Sequence, residues 1–491
     1  MNEARFRTPS SIEERLGRSA MSRKACVIGA GPNGLAAAIV LAQAGLKVDV
    51  FEAEPTPGGA TRTLALTLPG FLHDFGSAVH PMAAGSPFFS SLPLRDYGLE
   101  WIHSPAVLAH PLDDGTAVML ERDLQEAESF LGVDGKAWRK LMQPFAERWI
   151  EFAPELLHPF PSLPKHPWLM ARFGVSAIVS ARTLAFGLFR DERTRALFAG
   201  LAAHSLLSLD QPLSAGFGMM MGVPAHAVGW PIPRGGSQAI TNSLCGHAVK
   251  LGATIHTSAR IENLATLPEC DVTLCDLTPR QLLHVASDRL SPAYKHRLAD
   301  FRYGPGVFKV DYALERPIPW KAPECLRAAT VHLGGSFEEI AASEEAVSRG
   351  VHADDPFVLL AQPSLFDPTR APAGKHTAWA YCHVPNGSTF DLQGKLEDQI
   401  ERFAPGFRDC VLARRVFSPA NLERMDANLV GGDIAGGAMD FRQLLFRPTS
   451  RHYRTSARDI YICSASTPPG GGVHGMCGYH AARTALAKLK L

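Results

Sequence analysis

The sequence predicts an α/β protein built on a parallel βαβ unit, with two further stretches that combine strand, helix and glycines in the same way. Three stretches predict it: KACVIGAGPNGLAAAIVLAQAGLKVDVFEAE near the start, AVGWPIPRGGSQAITNSLCGHAVKLGATIH in the middle, and YICSASTPPGGGVHGMCGYHAARTAL at the end. Each combines a strand-like run, a helix-like run and clustered glycines, and glycines are costly in backbone entropy unless a close approach or a positive φ needs them.

The first stretch reads as an apolar strand, then Gly29, Gly31 and Gly34, then an Ala- and Leu-rich helix and a second strand closed by Glu52. In such a Rossmann-like unit the first glycine permits a tight turn. The second lets backbone approach a pyrophosphate, the third lets helix and strand touch, and the acid accepts ribose hydroxyls. A 2′-phosphate is disfavoured beside Glu52. Next come Gly58, Gly59 and Arg62 in EAEPTPGGATRT and the turn Asp74-Phe75-Gly76 in HDFGSAVHP.

Bulk properties limit the remaining readings. The chain has 491 residues, 46% of them hydrophobic and 20% charged, with a formal net charge of +1, so it can bury a large core and has no general electrostatic drive towards nucleic acid. Nine cysteines show no CxxC pair and no metal-ligand spacing, which favours a reducing compartment without a disulfide framework, and no metal. Residues 1–20 mix Arg5, Arg7, Arg15 and Arg18 with Glu3, Glu13 and Glu14 and have no apolar core, so they read as a disordered extension or as sequence ahead of a start at Met21, not as a secretory signal. The longest stretch without Asp, Glu, Lys or Arg, Gln211 to Pro233, is interrupted by prolines and glycines. It reads as the wall of an apolar cavity or a surface touching membrane, not a spanning helix.

The Gly-Gly after the acid resembles that of the flavoproteins with two dinucleotide-binding segments, where the chain passes under the FAD pyrophosphate. With PGGGVHGMCGYHAAR, GWPIPRGG, YGPGVFKVDYALERPIPW and TVHLGG, the chain from residue 24 to 491 is similar to the phytoene-desaturase-like flavoproteins. It lies nearest the branch with the carotenoid ketolases and pyridine nucleotide-disulphide oxidoreductase domain-containing protein 2. The resemblance implies FAD as cofactor, held by Gly29, Gly31, Gly34, Glu52, Gly58, Gly59, Arg62 and Gly76, with the backbone at Ile261 on the adenine. It also implies that Gly471, Gly472, Val473 and Met476 close the flavin site, the last helix turning its N-terminus to the ring. One departure stands out: CSAST lacks the acid often found before the final glycines, leaving Ser466 or Thr467 as substitutes.

Two residues are the catalytic candidates. Lys309 stands in the apolar strand GVFKVDYAL, and burying an ammonium without a partner is expensive. It is read either as paired with Asp311 or facing water, or, by likeness to amine oxidases, as pointing at flavin N5 through a water. His474 follows the glycines and is read as a flavin contact; His80 and His226 are weaker candidates, His226 as a cavity residue.

The expected layout is an FAD-binding domain of residues 21–105, 225–300 and 450–491, with a strand at about 253–257 and another at 259–264, and a discontinuous α+β substrate domain of 106–224 and 301–449. Residues 120–220 would form the cap and 301–390 the cavity floor. The expected function is hydride transfer from a lipophilic substrate, isoprenoid or polyene, to flavin N5, with an unspecified electron acceptor. The alternatives are an amine oxidase or a non-catalytic flavoprotein acting through partners. The expected location is the cytoplasm, with peripheral membrane contact left open and no nucleic-acid partner.

Overall fold

The computed structural model describes residues 23–159 and 162–491, so the N-terminal extension expected from the sequence lies outside the described residues. Twelve strands build the two main sheets: β1 Lys24–Ile28, β2 Lys47–Phe51, β3 Ala106–Pro111, β4 Ala117–Leu120, β5 Thr254–His256, β6 Val272–Cys275, β7 Gly306–Leu314, β8 Ala328–Leu333, β9 Val358–Ala361, β10 His376–Val384, β11 Val411–Phe417 and β12 Ile460–Ile462. The helices that matter here are α1 Pro32–Gln43, α2 Pro167–Ala177, α3 Ala181–Leu188, α4 Glu192–Ala203, α5 Ser214–Ala227, α6 Gln238–Lys250, α7 Phe337–Ser348 and α8 Met476–Leu489.

The first sheet runs β12-β6-β1-β2-β5, every pair parallel. Its strands come from three distant parts of the chain, and helices cover it, as parallel sheets require. Helix α1 is apolar almost all round because it is buried between this sheet and its neighbours α6 and α8. Contact is close at two points: a Cβ at Gly34 would lie 2.0 Å from Gly29 O, and one at Gly478 of α8 only 1.8 Å from Asn33 O. The strand expected at 259–264 is absent. Ser258 takes a positive φ of 52°, and the N–H groups of Ser258 and Ala259 bond back to Glu54 O and Glu52 O, so the chain bends along the sheet edge instead of extending it.

The second sheet runs β11-β7-β10-β9-β8-β3-β4, antiparallel except for β8 with β3. One face meets a core of its own beneath helix residues 393–403; the other faces the cap, where α4 and α5 pack together around Leu197, Phe198, Leu201 and Met219. The prolines and glycines of 211–233 do not prevent helix α5, whose Gly218 and Gly222 let Phe198 and Met142 approach. No single described helix is long and apolar enough to cross a membrane; α2 and α3 would suffice only as a pair, and they meet at 96°.

Candidate functional site

Between the two sheets and the cap lies a cavity of about 490 Å³, well inside the ordinary range for a ligand site. One end is the β1–α1 loop. Gly29 has φ +95°, a conformation side chains rarely adopt, and its N–H bonds Phe51 O. Glu52 is buried beside it, its carboxylate accepting from Ala30 N at 2.7 Å and Glu54 N at 2.9 Å, which leaves lone pairs for a ligand. Gly29, Gly31, Glu52 and Ile261 all line this end. Gly34 does not; it is the packing glycine, and its N–H is held by Asp276 at 2.8 Å.

Gly59, Arg62 and Gly76 line the middle, whereas Gly58 turns away against Thr241 and the Arg62 stem. The Arg62 guanidinium donates to Gly59 O and Met425 O at 2.9 and 2.6 Å and stacks over Phe75. A Cβ on Gly76 would fall 2.4 Å from Ala60 O, so only glycine lets the turn close there.

Gly471, Gly472 and Val473 also reach the cavity, but His474 and Met476 do not. The His474 ring turns inward, its Nδ1 accepting from Met476 N at 3.0 Å, and burial drops its pKa to about 4. It caps its own helix, so the cavity meets the loop ahead of α8 rather than the helix N-terminus. His226 is likewise structural, bridging Trp138 Nε1 at 2.8 Å and Arg122 O at 3.0 Å away from the cavity. His80 does line it, its Nε2 at 2.8 Å from Ser237 Oγ. Neither Ser466 nor Thr467 reaches the cavity; Thr467 bonds Ser464 O.

Acids that sequence reasoning missed stand in that area. Asp276 ends β6 at the glycine loop, with its pKa pushed up to about 7 by burial; Asp426 and Asp433 line the same wall, both raised by burial. Asp433 lies in GGDIAGG and is held by Gly304 N and Ala435 N. Fully buried Arg447 ties this segment to the C-terminal return, donating to Ala435 O, Gly436 O and Ala465 O. The glycine pairs flanking Asp433 were the available signal.

Beyond the glycines, Lys309 lines the wall from β7. It is 3% exposed; Nζ donates to Asp74 O at 3.1 Å and pairs with Asp311, with Trp379 and Phe417 rings at 5.7 and 5.5 Å. The pairing with Asp311 read from the sequence is present, and Lys309 also borders the cavity. Asp311 is fully buried, which raises its pKa to about 6 against the lowering influence of Lys309. Below it His73, held near 3 by burial and by Lys309, lies 3.7 Å from Asp311, and Arg370 pairs with Asp74 at 2.7 Å. Opposite, Phe217, Met220, Met221 and Trp230 supply an apolar roof, while Met219 is core.

A dinucleotide loop and a roofed apolar chamber joined end to end define the class, an oxidoreductase with a Rossmann-like nucleotide-binding domain, in keeping with curated relatives that are desaturases. A family model described as an NAD(P)-binding Rossmann-like domain matches residues 27–90. The chain is a homologue of pyridine nucleotide-disulfide oxidoreductase domain-containing protein 2 of Mus musculus, 28% identical over 96% of this chain and 95% of that one. It is likewise a homologue of the lycopene-forming phytoene desaturase of Pseudescherichia vulneris, 26% identical over 92% of this chain and 96% of that one. A putrescine oxidase redesigned in its cofactor binding shares the fold, with a TM-score of 0.61 and 16% identity over 95% of this chain and 99% of that one.

Proposed function

We propose that the chain binds FAD along this cavity and oxidises a lipophilic substrate of isoprenoid or polyene class. The observation that carries the reading is the continuity of a single cavity from Gly31 and Glu52 to Lys309 and the Met220–Met221 roof. The residues present suit the cofactor. The N–H groups of Gly31, Gly472 and Val473 border the cavity and make no hydrogen bond among the described residues, so phosphate or ring oxygens would satisfy them. A Cβ on Gly31 would stand 3.1 Å from Asp276 Oδ2, so a larger residue there would crowd the carboxylate.

FAD bound there supplies the acceptor for a hydride. The chain does the rest. Glu52 holds the ribose hydroxyls, the Gly471–Val473 loop offers its N–H groups to electron-rich atoms, and Phe217, Met220, Met221 and Trp230 exclude water. The Asp311 carboxyl, paired with Lys309 Nζ and raised by burial to about 6, can take up or release a proton near neutral pH. The phytoene desaturase named above supports the substrate class. The exposed apolar residues Leu163, Trp168, Val175 and Ile178 on and beside α2 support peripheral contact with a membrane, from which such a substrate would be drawn.

The test is to extract stoichiometric FAD from the purified protein and to mix it anaerobically with a polyene in detergent micelles, watching the flavin absorbance bleach. Absence of FAD overturns the reading. An amine oxidase is the second reading, favoured by the putrescine oxidase fold and by the stacked Trp379–Tyr381 pair at the wall, ring centroids 5.5 Å apart. Bleaching by putrescine with peroxide release, and none by polyenes, would select it.

A further inference from the structure

The end of the cavity beyond Lys309 is not uniformly apolar. Along β10, Trp379, Tyr381 and His383 alternate onto the cavity face, and Thr330 of β8 shares it. His383 is 3% exposed, and its Nδ1 lies 2.9 and 2.8 Å from the two oxygens of Glu344, a carboxylate that α7 carries into the interior. That pair is the only polar contact of Glu344 among the described residues. An imidazole so held donates Nδ1–H to the carboxylate and leaves Nε2 as the acceptor aimed at the remaining space. Nε2 makes no hydrogen bond among the described residues, nor does the Tyr381 hydroxyl, and Thr330 Oγ1 is buried without a partner. His204, 3.1 Å from His332 Nε2 and edge-on to Trp230, closes the side wall. Among the described residues no three ligating side chains converge as a metal site would need.

A hydrocarbon lying here would desolvate His383 Nε2 and the Tyr381 O–H without replacing their water, and each such orphan is unfavourable. A buried Glu–His pair is also costly scaffolding in a chamber meant only for alkenes. We propose that this end of the cavity recognises the hydroxyl group of an amphiphilic substrate, a long-chain or isoprenoid alcohol. Its O–H donates to His383 Nε2 and its oxygen accepts from the Tyr381 hydroxyl. The inference rests on the reading of a lipophilic oxidoreductase substrate and narrows it from hydrocarbon to alcohol.

The test compares farnesol with farnesene, matched in carbon skeleton, by tryptophan fluorescence of the cofactor-loaded protein, since Trp230 and Trp379 both border the cavity. Farnesol should bind about ten- to a hundredfold more tightly. Replacing His383→Leu together with Glu344→Leu removes the buried pair as a unit, so no charge is stranded; farnesol should then fall to the farnesene level while farnesene holds. Tyr381→Phe, which deletes only an oxygen, should narrow the gap severalfold and decides the matter if the double variant does not fold. Equal binding of the two probes by the unaltered protein, or a preference that survives these replacements, overturns the alcohol site alone. If neither probe binds, the lipophilic-substrate reading falls and this inference with it.

Discussion

Replacing Lys309 with methionine isolates the buried ion pair. The substitution keeps most of the stem but strands Asp311, which is fully buried and whose remaining ionic contact among the described residues is His73 at 3.7 Å. Breaking a buried pair by deleting one member costs about 3–5 kcal/mol. The cost depends on pH. With Lys309 present the Asp311 carboxyl titrates near 6; without it the carboxyl must stay protonated in the folded state while the unfolded chain ionises. The penalty therefore grows as pH rises above about 6, by at most about 1.4 kcal/mol per pH unit. Urea unfolding followed by circular dichroism at pH 5.5 and pH 8 measures it, and Lys309→Met with Asp311→Leu should recover most of the loss. That double variant is the one in which to time flavin reduction and reoxidation, with roughly ten- to a thousandfold slowing expected if the pair moves a proton. Equal urea midpoints for Lys309→Met and the unaltered protein at both pH values would refute the pairing.

Three further outcomes follow from the geometry. Gly31→Leu should keep the helix content of the protein and lose its flavin absorbance; a variant that retains stoichiometric FAD would place the pyrophosphate elsewhere. For the cofactor-free protein, Asp276 holds when folded a proton that the unfolded chain releases near 3.8, so its contribution to stability falls as pH rises from about 4 to about 7 and then levels off. Asp276→Asn should flatten that slope and gain roughly 4 kcal/mol at most by pH 8, read from urea midpoints across pH. Trp168→Ser with Val175→Ser should cut co-sedimentation with phospholipid vesicles severalfold while carbonate wash releases the unaltered protein; unchanged sedimentation would count against the membrane-facing patch.

What could be read from the sequence was what short-range chemistry dictates. The spacing of Gly29, Gly31 and Gly34 encodes a close approach between neighbouring segments, and Gly34 against Gly29 O is that approach. Lys309 and Asp311 share a face because a strand repeats every second residue, so their pairing was legible as an alternative. His474 was misread because proximity to the glycines says nothing of the direction its ring takes, and the ring turns back to Met476 N. Asp276, Asp426 and Asp433 meet across the folded chain and belong to no local pattern. The same holds for Glu344 and His383, which sit on a helix and a strand 39 residues apart.

The contact of Gly478 with Asn33 has a consequence for biosynthesis. Helix α1 leaves the ribosome long before α8, which covers part of its apolar surface. Until then the nascent chain carries an uncovered sheet edge, because β12 also arrives late to flank β6. Such delayed closure exposes the chain to association with its neighbours while it is being made. A premature stop ahead of residue 460 would leave that exposure permanent, and quality control, not loss of turnover, would set the fate of the product.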